Sequence, residues 1–297
     1  MGEIAKTWKL PRSGSYLKDF YTIDSTTDPL MLKNPLKFSL VIPAYNEVKR
    51  ILPTLKGLIS ILDYRFKRKY ELLVVMDGCN DGTPETVERL IHNHSGATAI
   101  VLPNRLGKGG AIIEALKYAK GDLIAFIDAD GSIPPQELER LTELTEDYDL
   151  VIGSRYEKHS TLPKKRPIKR VILSRSFNTL VKLLFWKLHG ISDTQCGVKV
   201  FTKKLAKSIQ EDLLITDFAF DVNLIHSALC RGFKVKEVGI AWTEKDGSTL
   251  SDGIIKQSIG MIFSLCRLRF HYQFKLKSGS KKLIDRIARS IYLRLQT

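Results

Sequence analysis

Short uninterrupted apolar runs alternate with stretches whose apolar residues recur every three or four positions, and this alternation continues from residue 38 to residue 154. FSLVIP (38–43) has the composition of a strand buried on both faces, and NEVKRILPTLKGLISIL (46–62) places Ile51, Leu55, Leu58, Ile59 and Leu62 at helical spacing. YELLVVMD (70–77) is predicted as a strand and TPETVERLIHNH (83–94) as a helix, with Thr83 as its cap and Pro84 at its first position. Strands over 97–102, 122–128 and 149–154 and helices over 107–121 and 135–147 continue the series. Four or five β–α repeats in succession predict an α/β fold with a mostly parallel, doubly wound sheet. Ligands of such sheets bind at the carboxyl ends of the strands. The unusual residues gather there: Asn46 and Glu47, Asp77, Asn104 and Arg105, then Asp128 and Asp130, all predicted to converge on one crevice.

Beyond residue 155 the pattern changes. EKHSTLPKKRPIKR (157–170) reads as a basic, proline-containing loop, and VILSRSFNTLVKLLFWKLHG (171–190) as a helix with a broad apolar face bearing Arg175, Lys182 and Lys187. A helix over 218–232 and a strand over 233–242 follow the unassigned stretch ISDTQCGVKVFTKK (191–204). IIKQSIGMIFSLCRLRF (254–270) is apolar on most sides, and KKLIDRIARSIYLRLQ (281–296) is amphipathic and basic. These divisions predict a loosely held leader over 1–35, a main domain over 36–250 and basic amphipathic helices over 251–297. Such helices suit a membrane interface; packing on one another, or in a homodimer, is the alternative.

Of 297 residues 43% are hydrophobic, enough for a sizeable core. The net charge of +15 is unevenly spread: residues 1–150 carry 19 Lys+Arg against 21 Asp+Glu, whereas residues 151–297 carry 28 against 11. The second half therefore seeks an anionic partner: nucleic acid, phosphate groups or a lipid surface. It contains no nucleic-acid-binding motif, and nucleic-acid binding would leave the acidic crevice unexplained. The four cysteines are far apart, with no C-x-x-C pair, which points away from a zinc site or a disulfide framework and toward a reducing compartment. Neither a signal peptide nor a run of 18 uncharged apolar residues is present, so peripheral association is expected in place of a spanning helix.

The candidate chemistry lies in LIAFIDADGSIPP (123–135), where a buried strand ends in Asp128 and Asp130. Two carboxylates one residue apart repel unless a cation offsets them. Mg²⁺ or Mn²⁺ takes one or two carboxylates and leaves positions for water and substrate phosphates. A bare D-x-D also arises by chance, with the first Asp capping the turn and the second solvated.

VIPAYNE (41–47), VVMDGCNDGT (74–83), NRLGKGGAIIEAL (104–116), FIDADG (126–131) and VIGSRY (151–156), in this order and spacing, resemble the inverting glycosyltransferases of GT-A type, family 2. DTQCGVKVF (193–201), FAFDVNLI (218–225) and WTEKDGS (242–248) are similar to one branch, the dolichyl-phosphate β-glucosyltransferases, with the dolichyl-phosphate mannose synthases next. The resemblance implies a GT-A fold, a UDP-glucose or GDP-mannose donor, a dolichyl or other polyprenyl phosphate acceptor, Mg²⁺ or Mn²⁺ at Asp128 and Asp130, and work at the cytoplasmic face of a membrane. It further implies that Pro43, Ala44, Tyr45 and Glu47 line the nucleotide pocket, and that Asp77 holds the base edge unless it serves only as a turn Asp. Lys108, in a glycine-rich turn opening a helix, can meet phosphate, or be merely solvated. Asp193 and Gln195 can hold sugar hydroxyls or shape their loop, and Trp242 is expected in the core, with stacking on a sugar as the alternative. Ser132 departs from the mannose-synthase pattern at a position able to supply a further metal-side ligand. A lipid phosphate needs positive charge to receive it, for which Arg155 is the first candidate and Arg170 and Arg175 the next. An ion pair is the alternative for Arg155, and a solvated or lipid-facing place for the other two. Asp221 occupies the position of the family's catalytic carboxylate, although a phosphate acceptor does not require a base.

Overall fold

The computed structural model describes residues 21–23, 37–92, 94–163, 167–245 and 254–274. Its strands are β1 (Tyr21–Ile23), β2 (Phe38–Ala44), β3 (Tyr70–Asp77), β4 (Ala97–Leu102), β5 (Leu123–Ile127), β6 (Leu150–Ser154), β7 (Val198–Thr202) and β8 (Val235–Gly239). They form one sheet in the order β1-β4-β3-β2-β5-β7-β6-β8. β2 pairs in parallel with β3 and β5, as β3 does with β4 and β6 with β8. β1 runs antiparallel to β4, and β7 antiparallel to both β5 and β6. This is the α/β, mostly parallel arrangement the repeats predicted. The order turns back at β2, with β3 and β4 on one side and β5 on the other, which opens a crevice at the carboxyl ends of β2 and β5.

The helices are α1 (Ile51–Phe66), α2 (Thr83–Ile91), α3 (Lys108–Leu116), α4 (Pro135–Glu143), α5 (Ile168–Leu184), α6 (Lys203–Ile209), α7 (Phe220–Cys230) and α8 (Ile254–Phe274). Each central strand buries both faces, so alternate residues enter two cores. Leu40 and Ile42 of β2 pack with Leu55, Leu58 and Leu62 of α1, while Val41 joins Ile112 of α3, Phe220 of α7 and Leu265 and Leu268 of α8. Burying each such aliphatic side chain stabilises the fold by about 1.5–3 kcal/mol. The four cysteines are free.

The structure corrects the sequence reading in three places. Within the stretch read as a leader, Tyr21–Ile23 add an edge strand. The unassigned 191–204 contains β7 and the start of α6, because Lys199 interrupts an otherwise apolar run and hides its strand character. α1 begins at Ile51 because the preceding residues are held elsewhere: Asn46 is left-handed (φ 54°), and the Glu47 N–H donates to Thr83 Oγ1 at 2.8 Å. α5 keeps Ile168, Ile172 and Leu183 on its exposed face, and a 3-10 turn over Trp186–Leu188 exposes Trp186. α8 likewise exposes Ile259, Ile262, Phe263 and Phe270. The amphipathic segment expected over 281–296 lies outside the described residues. No helix among the described residues is long and apolar enough to cross a membrane.

Candidate active site

The loops after β2, β3 and β4 are tied together by short polar contacts. Asn46 Nδ2 donates to Asn80 Oδ1 at 2.7 Å, and the Asn80 N–H donates back to Asn46 Oδ1 at 3.0 Å. Asp77, the buried last residue of β3, accepts from the N–H groups of Leu106 (2.6 Å) and Gly107 (2.8 Å). Burial pushes its carboxyl up to about 6 even though these two donors and Arg105 pull it down. Glu47 accepts from Arg50 Nε and Nη2, both at 2.7 Å; burial raises its carboxyl above the ordinary range against the pull of Arg50. The Arg105 guanidinium lies 3.7 Å above the Tyr45 ring. Together these groups enclose a cavity of about 130 Å³, lined by Pro43, Ala44, Tyr45, Glu47, Asp77, Lys108, Asp128 and Asp130, with Arg50, Arg105, Ala129 and Phe218. Of the strand-end residues predicted to converge, Glu47, Asp77, Arg105, Asp128 and Asp130 line this cavity; Asn104 does not, and Asn46 is engaged with Asn80.

Asp128 and Asp130 stand just past the end of β5. Asp130 Oδ1 accepts the Ser132 N–H at 2.9 Å, and Asp128 Oδ1 lies 3.0 Å from Lys108 Nζ. Gly197 packs against the other Asp128 oxygen so closely that a Cβ there would approach Oδ2 to 1.9 Å. Burial raises the Asp128 carboxyl above its ordinary range, with Lys108 opposing and Asp130 adding to the shift. Burial alone would lower the Lys108 ammonium, but Asp128 and Asp221 more than reverse this and hold it above its usual value.

A second cavity of about 260 Å³ shares Lys108, Asp128, Asp130 and Phe218 with the first. Its polar wall holds Arg155, Arg170, Gln195, Glu244 and Lys245, and its apolar wall Leu173, Phe177, Trp242 and Met261. Arg155 adopts the alternative left open by the sequence, a buried two-point ion pair with Asp193 (Nε–Oδ2 2.7 Å, Nη2–Oδ1 2.8 Å). Burial would raise the Asp193 carboxyl, yet Arg155 holds it below its ordinary range. Asp193 thus shapes the loop. Gln195 turns its N–H to Asp193 Oδ1, and its buried Nε2 has no hydrogen-bond partner among the described residues. Arg170 pairs with Glu244 across the cavity mouth. Arg175 is exposed, lines neither cavity and covers the Tyr156 ring at 3.9 Å. Asp221 also lines neither; it is buried between Lys108 and Lys199. Trp242, expected in the core, is partly exposed in the cavity wall, 5.7 Å from the Arg155 guanidinium.

Among the described residues no group of three or more His, Cys, Asp or Glu is arranged for a metal ion. A cation needing only one or two protein carboxylates still fits. The D-x-D supplies two hard oxygen donors where both cavities meet, and a glycine flanks Asp128 where any side chain would displace it. Sequence reasoning missed Lys199, Arg50 and Glu244. The one signal for Lys199 was a charge inside an apolar strand; Glu244 lay within the WTEKDGS motif without being singled out, and Arg50 carried none.

The model of the family described as "Glycosyl transferase family 2" matches residues 39–209. A dolichyl-phosphate beta-glucosyltransferase of Dictyostelium discoideum is 34% identical over 264 residues, 83% of this chain and 80% of that protein. One of Homo sapiens is 32% identical over 258 residues, 82% and 79% of the two chains. Among solved structures, glucosyl-3-phosphoglycerate synthase from Mycobacterium tuberculosis in complex with Mn²⁺, UDP and glucosyl-3-phosphoglycerate superposes with a TM-score of 0.59 at 21% identity, covering 80% of this chain and 82% of that one. Its complex with Mn²⁺ and UDP-glucose gives 0.58 at 22%, covering 80% and 81%. The chain belongs to glycosyl transferase family 2, and its fold is that of these GT-A enzymes.

Proposed function

We propose that this family 2 enzyme transfers glucose, with inversion, from UDP-glucose to dolichyl phosphate or another polyprenyl phosphate at the cytoplasmic face of a membrane. The observation that carries this reading is the meeting of two unlike cavities at Asp128 and Asp130. The names of its relatives support both sugar and acceptor.

In this reading the nucleotide lies in the smaller cavity, where Asp77 accepts from a base N–H and Arg105, held flat on Tyr45, faces the phosphates. Asp128 and Asp130 would hold Mg²⁺ or Mn²⁺, which when bound offsets the charge growing on the departing diphosphate. Lys108 adds a fixed positive charge at the same junction. The unused Gln195 amide offers a donor to a sugar hydroxyl. The acceptor phosphate occupies the larger cavity beside Arg155, Arg170 and Lys245. Its second pKa is about 6, so the attacking oxygen is already anionic at neutral pH and no base is required. That oxygen bonds to the anomeric carbon from the face opposite UDP, and the electron pair of the breaking C–O bond leaves with UDP. The lipid chain passes Leu173, Phe177 and Met261 toward the exposed apolar faces of α5 and α8, which rest on the membrane surface. The basic second half suits anionic headgroups.

The test is a donor screen with radiolabelled UDP-glucose and GDP-mannose, polyprenyl phosphate and Mn²⁺. Label from UDP-glucose is expected in the lipid phase, lost with EDTA and reduced about a hundred- to a thousandfold by Asp130→Ala. Transfer from GDP-mannose alone would replace the sugar, and transfer indifferent to Asp130→Ala would remove the metal role.

A further inference from the structure

β7 carries a lysine, Lys199, whose side chain is 0% exposed. An ammonium so placed is costly unless paired. Its Nζ donates to the Cys196 carbonyl at 2.8 Å and to Asp221 Oδ1 at 2.5 Å. The other Asp221 oxygen lies 3.2 Å from Lys108 Nζ, which in turn lies 3.0 Å from Asp128 Oδ1. Four charges of alternating sign thus run from the core to the D-x-D. The backbone is built for this approach: a Cβ on Gly109 would stand 2.4 Å from Phe220 Cβ, so only glycine lets α3 lie this close to α7. The Phe126 ring lies 5.4 Å from the Lys108 ammonium and 5.3 Å from that of Lys199.

We propose that the Lys199–Asp221 pair is a positioning device that shares Lys108 between two carboxylates, and so sets how strongly its ammonium competes at Asp128 with a divalent cation. The proposal rests on the reading that Asp128 and Asp130 take such a cation. Asp221 is then a counter-ion and not a base, since each of its oxygens faces an ammonium group and it reaches neither cavity. Removing Lys199 leaves Asp221 a single cation, and Lys108 is drawn toward it and off Asp128. Removing the Asp221 charge leaves Lys108 only Asp128, where it opposes the incoming cation. The two changes push Lys108 in opposite directions.

Mn²⁺ affinity is measured on the full chain with UDP present and no acceptor, by electron paramagnetic resonance of free Mn²⁺, alongside melting temperature and kcat. Asp221→Asn is expected to weaken Mn²⁺ binding about 10- to 100-fold. Lys199→Met should bind Mn²⁺ at least as tightly as the wild type yet lose about tenfold or more in kcat, because Lys108 has left the junction. The double variant removes both buried charges. It should follow Asp221→Asn in Mn²⁺ affinity while melting closer to the wild type, which keeps the test intact if a single variant folds poorly. If both single variants shift Mn²⁺ affinity the same way, or change only the melting temperature, the pair is structural and the inference is overturned. A wild type that binds no Mn²⁺ overturns the metal reading, and this inference with it, before any variant is compared.

Discussion

The two cavities that meet at Asp128 and Asp130 are held by different means. On the nucleotide side, backbone N–H groups, a neighbouring loop or a residue three positions away fix the polar residues: Asp77 on Leu106 and Gly107, Asn46 with Asn80, and Glu47 with Arg50. On the acceptor side one charged side chain holds another across long stretches of chain: Arg155 with Asp193 and Arg170 with Glu244. A backbone donor survives any substitution except proline. A buried ion pair loses its sense when either partner is changed, because the survivor stays desolvated. The acceptor side should therefore be the fragile one.

The largest effect is expected where that difference is sharpest. Arg155→Met leaves the fully buried Asp193 carboxylate without its partner and should cost about 3–5 kcal/mol of stability in denaturant unfolding. Arg155→Met with Asp193→Asn should recover much of the loss, since no lone charge remains. UDP affinity, read by titration calorimetry, should stay near the wild-type value in both. A parallel fall in UDP affinity would mean that the two sides are not independent, and the comparison would break.

Next comes pH, where the two sides carry opposite signs. Asp77 titrates near 6 in the fold, above its unfolded value. Its contribution to stability is therefore complete below about pH 4 and is lost as pH rises toward 6, by roughly 3 kcal/mol. Asp193 is held below the ordinary carboxylate range, so its contribution is present above about pH 4 and lost as pH falls. Subtracting the unfolding free energies of Asp77→Asn and of Asp193→Asn from the wild type between pH 3 and 7 should give curves of opposite slope. Two falling curves would show that burial governs both carboxylates, and two rising ones that hydrogen-bond and charge partners do.

The same contrast explains what was legible in the sequence. β3 and β4 appear at their predicted bounds because apolar runs flanked by turn residues are a local signal, and Pro43, Tyr45, Asp77 and the D-x-D sit at strand ends that such runs locate. The acceptor side is written in pairs: Arg155 and Asp193 are 38 residues apart, and Arg170 and Glu244 are 74 apart. No periodicity links such positions. β7 escaped for a related reason, since the lysine that breaks its apolar run is satisfied by Asp221, 22 residues further on, in α7.

The smallest effect belongs to the apolar rim beyond the second cavity. Trp186 is 72% exposed, with the Lys187 ammonium 5.6 Å from its ring, and Phe263 on α8 is also exposed. Partial burial of one such ring in a headgroup layer contributes about 1 kcal/mol, less than the 1.5–3 kcal/mol of full burial. Trp186→Ala or Phe263→Ala should therefore lower partitioning onto anionic vesicles only about fivefold. Added salt should weaken binding of every variant by screening the basic residues. Because the rim touches neither nucleotide nor carboxylates, UDP affinity and transfer to a short-chain, water-soluble polyprenyl phosphate should be unchanged, while KM for a long-chain acceptor in vesicles rises. If both variants partition like the wild type, the exposed faces of α5 and α8 serve some purpose other than a lipid surface, and the acceptor side ends at its ion pairs.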